Sequence, residues 1–245
     1  MNYIHTENYH VRYSDTGRDN ALKVRSFLEI FQEAAANHAD ILGVGREGFN
    51  EQKLMWVLSR LKVEFLDYPT AQEDLFIDTY PSLAGKLTAQ REFLLKNSAN
   101  KVVAKASSNW LLLDSTNLRP CKIERVIEFL PDKSNLEVFF SFEDKAEKST
   151  MEEFSKLIEI PVTYSMEDVN QHMNNAQYAA LVQDLIALEV GHPVKLNNLD
   201  ISFSSAVASP QTLKVGIINQ GDAWKVAGFN PEGRLSFVAK AQCVL

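Results

Sequence analysis

The chain has 245 residues and a formal net charge of −7 at pH 7, and 45% of its residues are hydrophobic. That content can bury one large core or two small ones, and the acidic balance argues against nonspecific nucleic-acid binding, which needs a basic surface. The N-terminus lacks an apolar signal core and no run is apolar enough to span a membrane, so we expect a cytoplasmic protein with no membrane span.

The cysteines show no sign of chemistry. Cys121 and Cys243 lie far apart, without metal-ligand spacing around them. We therefore expect two buried free thiols rather than a disulfide or a nucleophile, and no metal site.

The first predicted element is a long amphipathic helix. Apolar residues recur at three- and four-residue spacing from Val24 to Leu42, and Gly43 and Gly45 mark the end of the helix. Turn residues then separate four alternating, strand-like runs at 54–67, 74–81, 86–97 and 101–113. This order predicts an α+β domain in which one helix packs on an antiparallel sheet.

The same order recurs in the second half of the chain. Leu61–Phe65 matches Leu199–Phe203 in pattern, and the tetrapeptide Val103–Ala106 recurs as Val238–Ala241. Such self-similarity predicts two tandem copies of one unit. The second copy should repeat a strand, a helix and four strands.

The repeat divides the chain into three segments. We predict an N-terminal domain over 1–130, a linker over 131–158 and a C-terminal domain over 159–245. Residues 119–130 are expected to form a short helix at the end of the first domain. The linker contains the charged run 143–148, which predicts a solvated surface rather than a functional tract.

The densest chemistry lies between Asp168 and Tyr178, where an acid, an imidazole, several amides and a phenol occur together. Residues 160–164 before it alternate like a strand, and an apolar pattern typical of a helix follows it. The cluster is therefore expected on a strand-to-helix turn, where unpaired backbone N–H groups can receive an anion.

The spacing Asp-x-Asn-x-His-x-Asn-Asn-x-x-Tyr resembles the signature of the acyl-acyl carrier protein thioesterases. Segments 54–60, 68–70 and 105–114 also resemble recurrent parts of that family. The resemblance implies two tandem hotdog domains, each a long helix packed on an antiparallel sheet. It also implies hydrolysis of fatty acyl thioesters of acyl carrier protein in fatty acid biosynthesis, without a metal or organic cofactor.

The resemblance also implies three catalytic residues. Asp168 would be the general base or an electrostatic partner, Asn170 would hold water or the carbonyl, and His172 would carry a proton or orient water. From position alone, we infer that backbone N–H groups around Asn174 and Asn175 complete an oxyanion site. The alternative for Asp168 or Asn170 is helix N-capping. The phenol of this motif, at position 178, is expected to be half-buried.

The first copy has no histidine at the corresponding turn, Asp15–Ala21. We therefore expect only the second copy to be catalytic and the first to hold the acyl chain. Phe31 and Trp56 are assigned to substrate binding, in a tunnel that the first copy's apolar residues would line: Phe27, Phe31, Trp56, Leu58, Phe93 and Trp110. Ordinary core packing is the alternative for each of them.

One feature departs from the family. Its members carry an acidic residue, followed in plants by a cysteine, on the strand about thirty-four residues after the motif histidine, and Ala206 and Val207 stand there in this chain. Either Asp168 acts alone or another acid replaces the missing one, the candidates being Glu167, Glu33 and Asp40. The third possibility is a noncatalytic acyl-thioester binding protein. Serines near Ala206 lack a general base and are not expected to act as nucleophiles.

The charge balance favours the first copy as the side that meets an acidic carrier. Residues 1–130 hold 16 Lys+Arg against 17 Asp+Glu, whereas residues 131–245 hold 9 against 15. The basic residues expected to guide the carrier's phosphopantetheine arm are Arg12, Arg18, Lys23, Arg25 and Arg46. Acyl-coenzyme A remains an alternative substrate, and a homodimer is expected by analogy.

Overall fold

The structure is a computed structural model, and it describes residues 3–127, 136–142 and 144–244. Within these ranges the chain forms two compact units. The first comprises Met1–Leu22 and Glu29–Asp144, and the second comprises Lys23–Leu28 and Lys145–Leu245. No helix in the described part of the chain is long and apolar enough to cross a membrane.

The first unit contains the predicted strands and the predicted helix from Glu29 onward, whereas the start of that helix lies in Lys23–Leu28 of the second unit. Its strands pair antiparallel in the order β1-β3-β4-β5-β2. Two short elements, β1 and α2, are additions to the predicted set. The bounds are β1 His5–His10, α1 Val24–Ile41, α2 Arg46–Gln52, β2 Leu54–Phe65, β3 Asp74–Ala84, β4 Thr88–Asn97 and β5 Val102–Asp114.

Helix α1 packs its apolar side on β4. The ring of Phe31 lies 5.1 Å from that of Phe93, and both side chains are almost fully buried. Two turns later His38 is buried as well, and its Nδ1 accepts a hydrogen bond from Arg91 Nη1 at 3.0 Å. Burial first, and then the Arg91 charge, lower the pKa of His38 to about 3, so the ring is neutral at physiological pH.

The second unit repeats this arrangement. Its strands pair antiparallel in the order β6-β8-β9-β10-β7, which is the strand order of the first unit. The predicted strand, helix and four strands of the second copy are therefore confirmed. The bounds are β6 Ile158–Pro161, α3 Asn175–Val190, β7 Lys195–Phe203, β8 Thr212–Asn219, β9 Trp224–Phe229 and β10 Leu235–Val244.

Strand pairing corrects one of the two repeat matches. Val63 of β2 pairs with Ala106, whereas Ile201, its counterpart in β7, pairs with Ala239. Ala106 therefore corresponds to Ala239 and not to Ala241, so the recurring tetrapeptide is two residues out of register. A shift of two preserves which side chains face inward, which explains why the sequences still look alike.

The linker is only partly the solvated surface that its composition predicts. Residues 136–142 pack against the first unit, where Phe139 N donates to buried Glu92 at 3.1 Å and Tyr80 donates to Glu137 O at 2.9 Å. In the charged run, Asp144 is exposed but accepts a hydrogen bond from Arg60 at 2.8 Å. The earlier part of the linker is thus a strap along the first sheet, because its backbone polar groups find partners there.

The short helix expected over 119–130 is a single turn of 3-10 helix at Ile123–Arg125. Residues 128–135 and 143 of the predicted helix and linker lie outside the described residues. The proposed domain boundaries stay a prediction.

Candidate functional site

The polar motif lies on one tight loop between β6 and α3. A bridge between Glu167 and Met173 closes this segment, which we call the polar loop. Inside it, Asp168 N donates to His172 O at 3.0 Å, and Gln171 N donates to Asp168 O at 2.9 Å. Gln171 has a φ of 63°, in the left-handed region, which allows the chain to reverse in so few residues. The backbone therefore places three predicted site residues, Asp168, Asn170 and His172, on one loop.

The carboxylate of Asp168 is fixed by two donors. Its Oδ1 accepts a hydrogen bond from Asn170 N at 2.8 Å, and its Oδ2 accepts one from Asn174 Nδ2 at 3.3 Å. Each oxygen retains a lone pair, so the group can still accept a hydrogen bond from water. The geometry thus provides a positioned acceptor in a half-buried place.

Helix capping is not the role of Asp168 or Asn170, so that alternative is wrong. The N-cap of α3 is Asn174, whose side-chain oxygen accepts a hydrogen bond from Ala176 N at 2.8 Å. Because the same amide donates to Asp168 from its nitrogen, one side chain both starts the helix and holds the acid. This double role gives Asn174 a place in the site as the support of Asp168.

The side chains of Asn170 and His172 are exposed to solvent. Neither has a side-chain hydrogen bond to another described residue. An imidazole and an amide beside a fixed carboxylate can bind water or a polar ligand group.

The helix start provides one of the two expected oxyanion donors. Asn174 N donates to Met166 O at 2.9 Å and is therefore not available to a substrate, which corrects that part of the prediction. Asn175 N, the first N–H of α3, has no acceptor among the described residues. It can receive a developing negative charge at this helix terminus.

Tyr178 is more deeply buried than the sequence predicts. It is 3% exposed rather than half-buried, and its ring lies 5.0 Å from that of Phe237. Burial raises its pKa to about 12; the negative charge of Asp168 adds to this, while a hydrogen bond with the Val207 backbone opposes it. The phenol is thus neutral and lies within the electrostatic field of Asp168.

Ala206 and Val207, which differ from the family pattern, lie beside the polar loop but beyond the end of β7 at Phe203, and not on a strand as expected. Met173 N donates to Val207 O at 2.8 Å, and Val207 is fully buried. Ala206 and Val207 offer no carboxylate or thiol there. Glu167 is the nearby acid in the chain, but its Oε1 accepts a hydrogen bond from Ser209 N at 2.6 Å. Glu167 is thus bonded to the backbone of a segment outside the loop, whereas Asp168 is bonded by residues of the loop itself.

Other replacements considered for the missing acid do not lie on this loop. Glu33 and Asp40 are exposed residues of α1.

The nearby serine and the two cysteines show no sign of a nucleophile. Ser205 Oγ donates to Leu235 O at 2.9 Å, in keeping with a serine that bonds the backbone. Cys243 and Cys121 are free thiols, half-buried rather than buried, and burial raises the pKa of Cys243. In the described part of the chain, no group of His, Cys, Asp or Glu could hold a metal ion.

Phe31 and Trp56, assigned to acyl-chain binding, belong to the first unit. Phe31 stacks on Phe93, as described above. Trp56 is half-buried, and its Nε1 donates to Val44 O at 3.0 Å. These contacts are compatible with core packing, and the acyl-binding role stays a prediction.

Arg12, one of the basic residues expected to guide the carrier's arm, forms an ion pair with buried Asp15, with 2.9 Å between Nη2 and Oδ1.

Family comparison accounts for both units. The acyl-ACP thioesterase N-terminal domain model matches residues 2–128, and the C-terminal domain model matches residues 147–232. The chain belongs to the acyl-ACP thioesterase family. The family predicted from the polar motif is thereby confirmed.

Individual relatives are distant. A chloroplastic palmitoyl-acyl carrier protein thioesterase of Gossypium hirsutum is 26% identical over 249 residues, which cover 93% of this chain and 59% of the relative. The chloroplastic oleoyl-acyl carrier protein thioesterase 2 of Arabidopsis thaliana is 26% identical over 221 residues, or 81% of this chain and 59% of the relative. The chain thus spans less than two thirds of the length of these curated relatives.

Solved structures show the same fold. The acyl-ACP thioesterase of Bacteroides thetaiotaomicron superposes with a TM-score of 0.85 at 18% identity, over 99% of this chain and 98% of that one. The 12:0-ACP thioesterase of Umbellularia californica superposes with a TM-score of 0.85 at 18% identity, over 100% of this chain and 98% of that one. The α+β architecture of two tandem hotdog domains is confirmed.

Proposed function

We propose that the protein hydrolyses fatty acyl thioesters of acyl carrier protein, releasing free fatty acid and the carrier thiol in fatty acid biosynthesis. Family membership supports the reaction class. The observation that carries the proposal is the polar loop, which fixes the Asp168 carboxylate with two donors and leaves Asn170 and His172 exposed beside it. No metal or organic cofactor is required for this chemistry.

The residues divide the hydrolysis between them. Asp168 accepts a proton from a water as the water oxygen attacks the thioester carbonyl, and Asn170 orients that water or the carbonyl. The N–H of Asn175 stabilises the negative oxygen of the tetrahedral intermediate. When the carbon–sulfur bond breaks, the pantetheine thiolate leaves, and His172 is the proton carrier that returns a proton to it. Thiolate is a good leaving group, so the attack of water on the carbonyl is the slower step. One positioned acid is sufficient for that step.

The direct test is thiol release from acyl carrier proteins that carry chains of different length, with acyl-coenzyme A assayed alongside. Asp168→Asn serves as the blank, because it retains the size of the side chain but not its basicity. Asp19→Asn, in the corresponding loop of the first unit, is the matched control. We expect full turnover of the carrier substrates by the wild type and the control, and turnover at least about 100-fold slower in the blank. Equal rates in all three proteins would refute the assignment.

Two alternatives remain as outcomes of that assay. Faster turnover of acyl-coenzyme A than of acyl carrier protein would identify an acyl-CoA thioesterase using the same loop. Tight carrier binding without thiol release would identify a noncatalytic acyl-thioester binding protein, which the alanine at position 206 motivates. The Asp168 carboxylate is held by Asn170 and Asn174 of its own loop, and this favours the enzyme.

Chain binding and assembly are further proposals. Phe31 and Trp56 are proposed to contact the acyl chain, and Trp56→Leu should then change the preferred chain length while the protein stays folded. The predicted homodimer is tested by the mass of the protein in solution, measured by light scattering. Cytoplasmic location is tested by fractionation of the native cells.

A further inference from the structure

The turn that follows β5 presents an exposed leucine on a rigid backbone. Asp114 Oδ1 accepts hydrogen bonds from Thr116 N at 2.8 Å and Thr116 Oγ1 at 2.5 Å, and Leu118 N donates to Asp114 O at 2.8 Å. The turn then returns to the strand through Asp114 N and Arg119 O, 2.9 Å apart. These bonds fix the conformation of the turn.

Leu118, at the tip, is unfavourable for the isolated protein in two ways. It has a φ of 57°, in the left-handed region where glycine or asparagine costs less. Its side chain is also 64% exposed. A strained backbone combined with an exposed apolar group suggests a function, because neither feature helps the fold.

Basic residues lie in this turn and in the segments whose backbone is hydrogen-bonded to it. Ser115 N donates to Lys53 O at 2.9 Å and Ile123 N donates to Lys86 O at 3.1 Å, so both lysines lie at the same end of the first unit as the turn. All the cations gathered there are exposed: Lys53, Lys86, Arg119, Lys122 and Arg125. Together with Leu118 they form what we call the basic turn.

The five cations outnumber the acids close to them in sequence, which among the described residues are Glu51, Asp114 and Glu124. The hydrogen bonds from Thr116 hold the pKa of Asp114 below its ordinary value, so its carboxylate stays charged, while its Oδ1 is occupied by the turn itself. Glu124 lies 3.7 Å from Lys122, a loose and exposed ion pair. A basic surface of this kind contrasts with the net charge of −7 of the whole chain. It therefore favours an acidic partner by charge complementarity.

We propose that the basic turn is the docking surface for the acyl carrier protein. This inference rests on the proposed function. Carboxylates of an acidic carrier would meet these cations while an apolar carrier side chain packs on Leu118. Charge would mainly raise the rate of encounter, and the apolar contact would slow dissociation. If the surface instead bound the phosphates of coenzyme A, it would use the cations but would not need an exposed leucine.

The experiment compares a charge variant and a tip variant. Lys53→Glu combined with Lys122→Glu should raise the KM for acyl carrier protein about tenfold or more, and leave kcat/KM for acyl-coenzyme A within about twofold. Leu118→Gly should also raise the KM for acyl carrier protein. It should at the same time raise the midpoint of chemical denaturation, because glycine adopts the left-handed conformation without the strain of leucine.

The matched control reverses two exposed cations of the second unit, Lys240→Glu with Arg234→Glu. It should leave the KM for acyl carrier protein within about twofold of wild type. An unchanged KM in the charge variant, or an equal rise in the control, would overturn the proposal. An equal rise in the KM for acyl-coenzyme A would also overturn it, since the surface would then bind phosphate.

Direct binding separates this proposal from the proposed function. Calorimetric titration with the unacylated, phosphopantetheine-bearing carrier requires no turnover. Binding to wild-type protein that weakens with added salt, and that the charge variant loses, would support docking even if no thioester were hydrolysed. If acyl carrier protein were hydrolysed and the wild type and the charge variant bound the carrier with the same affinity, the docking proposal would be wrong. The proposed thioesterase function would still stand.

Discussion

The polar loop has a counterpart in the first unit with the same backbone and different side chains. A bridge between Thr16 and Leu22 closes that segment as the bridge between Glu167 and Met173 closes the polar loop. Asn20 there has a φ of 57°, against 63° for Gln171. We call the segment from Thr16 to Leu22 the first-unit loop.

Backbone hydrogen bonds align the two loops residue by residue. Gly17 N donates to Ala21 O at 2.9 Å, as Asp168 N donates to His172 O. Gly17, Asp19 and Ala21 therefore stand where the polar loop has its aspartate, asparagine and histidine. Asp15 precedes this alignment and is not the counterpart of Asp168. The fold itself requires this loop shape twice, whereas the candidate chemistry occurs once.

The largest effect should come from the acid. Asp168→Asn removes the general base but retains a side chain that can accept from Asn170 N, so we expect kcat on acyl carrier protein to fall by about 10²- to 10⁴-fold. Asp19→Asn should change it less than about twofold. Initial rates and thermal melts of both variants test this contrast. A comparable loss from Asp19→Asn would mean that the first-unit loop also takes part in turnover.

The imidazole should matter less than the acid. We expect His172→Ala to lower kcat about 100-fold, the low end of the range for proton transfer by a side chain, because solvent can partly replace it. The converse substitution, Ala21→His, should give no gain, since Gly17 supplies no carboxylate beside it. The pH dependence of kcat supplies a second readout. An unchanged profile in His172→Ala would exclude the imidazole as proton carrier.

Asn174 connects the helix to the acid, and two substitutions separate these roles. Asn174→Ala removes the cap and should cost about 1 kcal/mol of unfolding free energy. Asn174→Asp keeps a capping oxygen but removes the donor to Asp168, so stability should be nearly retained while kcat falls about tenfold through a misplaced carboxylate. Urea denaturation and steady-state kinetics measure the two quantities. A wild-type kcat in Asn174→Asp would show that capping alone explains the residue.

The smallest effect concerns the left-handed residue of each loop. Gln171→Gly should raise the unfolding free energy by about 0.5–1 kcal/mol, because glycine adopts positive φ without steric cost. Asn20→Gly should raise it by less, since asparagine already tolerates that conformation. Equilibrium denaturation compares the two. A larger gain at Asn20 would contradict the close similarity of the loop backbones.

Local pattern alone was sufficient for much of the fold. The spacing of apolar residues in α1, the alternation in β2 to β5 and the glycine at 43 all depend on neighbours within a few positions, so they could be read from the chain directly. The polar motif is equally local, because Asp168 to Asn175 span one loop and one helix start. Its chemistry and its family were therefore accessible from the sequence.

Tertiary structure decided which groups these residues contact. Val207 meets Met173 across a distance in sequence, Phe139 of the linker meets Glu92 of β4, and the hydroxyl of Tyr178 becomes buried beside Val207. The register that places Ala106 opposite Val63 likewise depends on pairing between separate strands. The packing of whole elements determines these contacts, so they cannot be predicted from a short stretch of sequence.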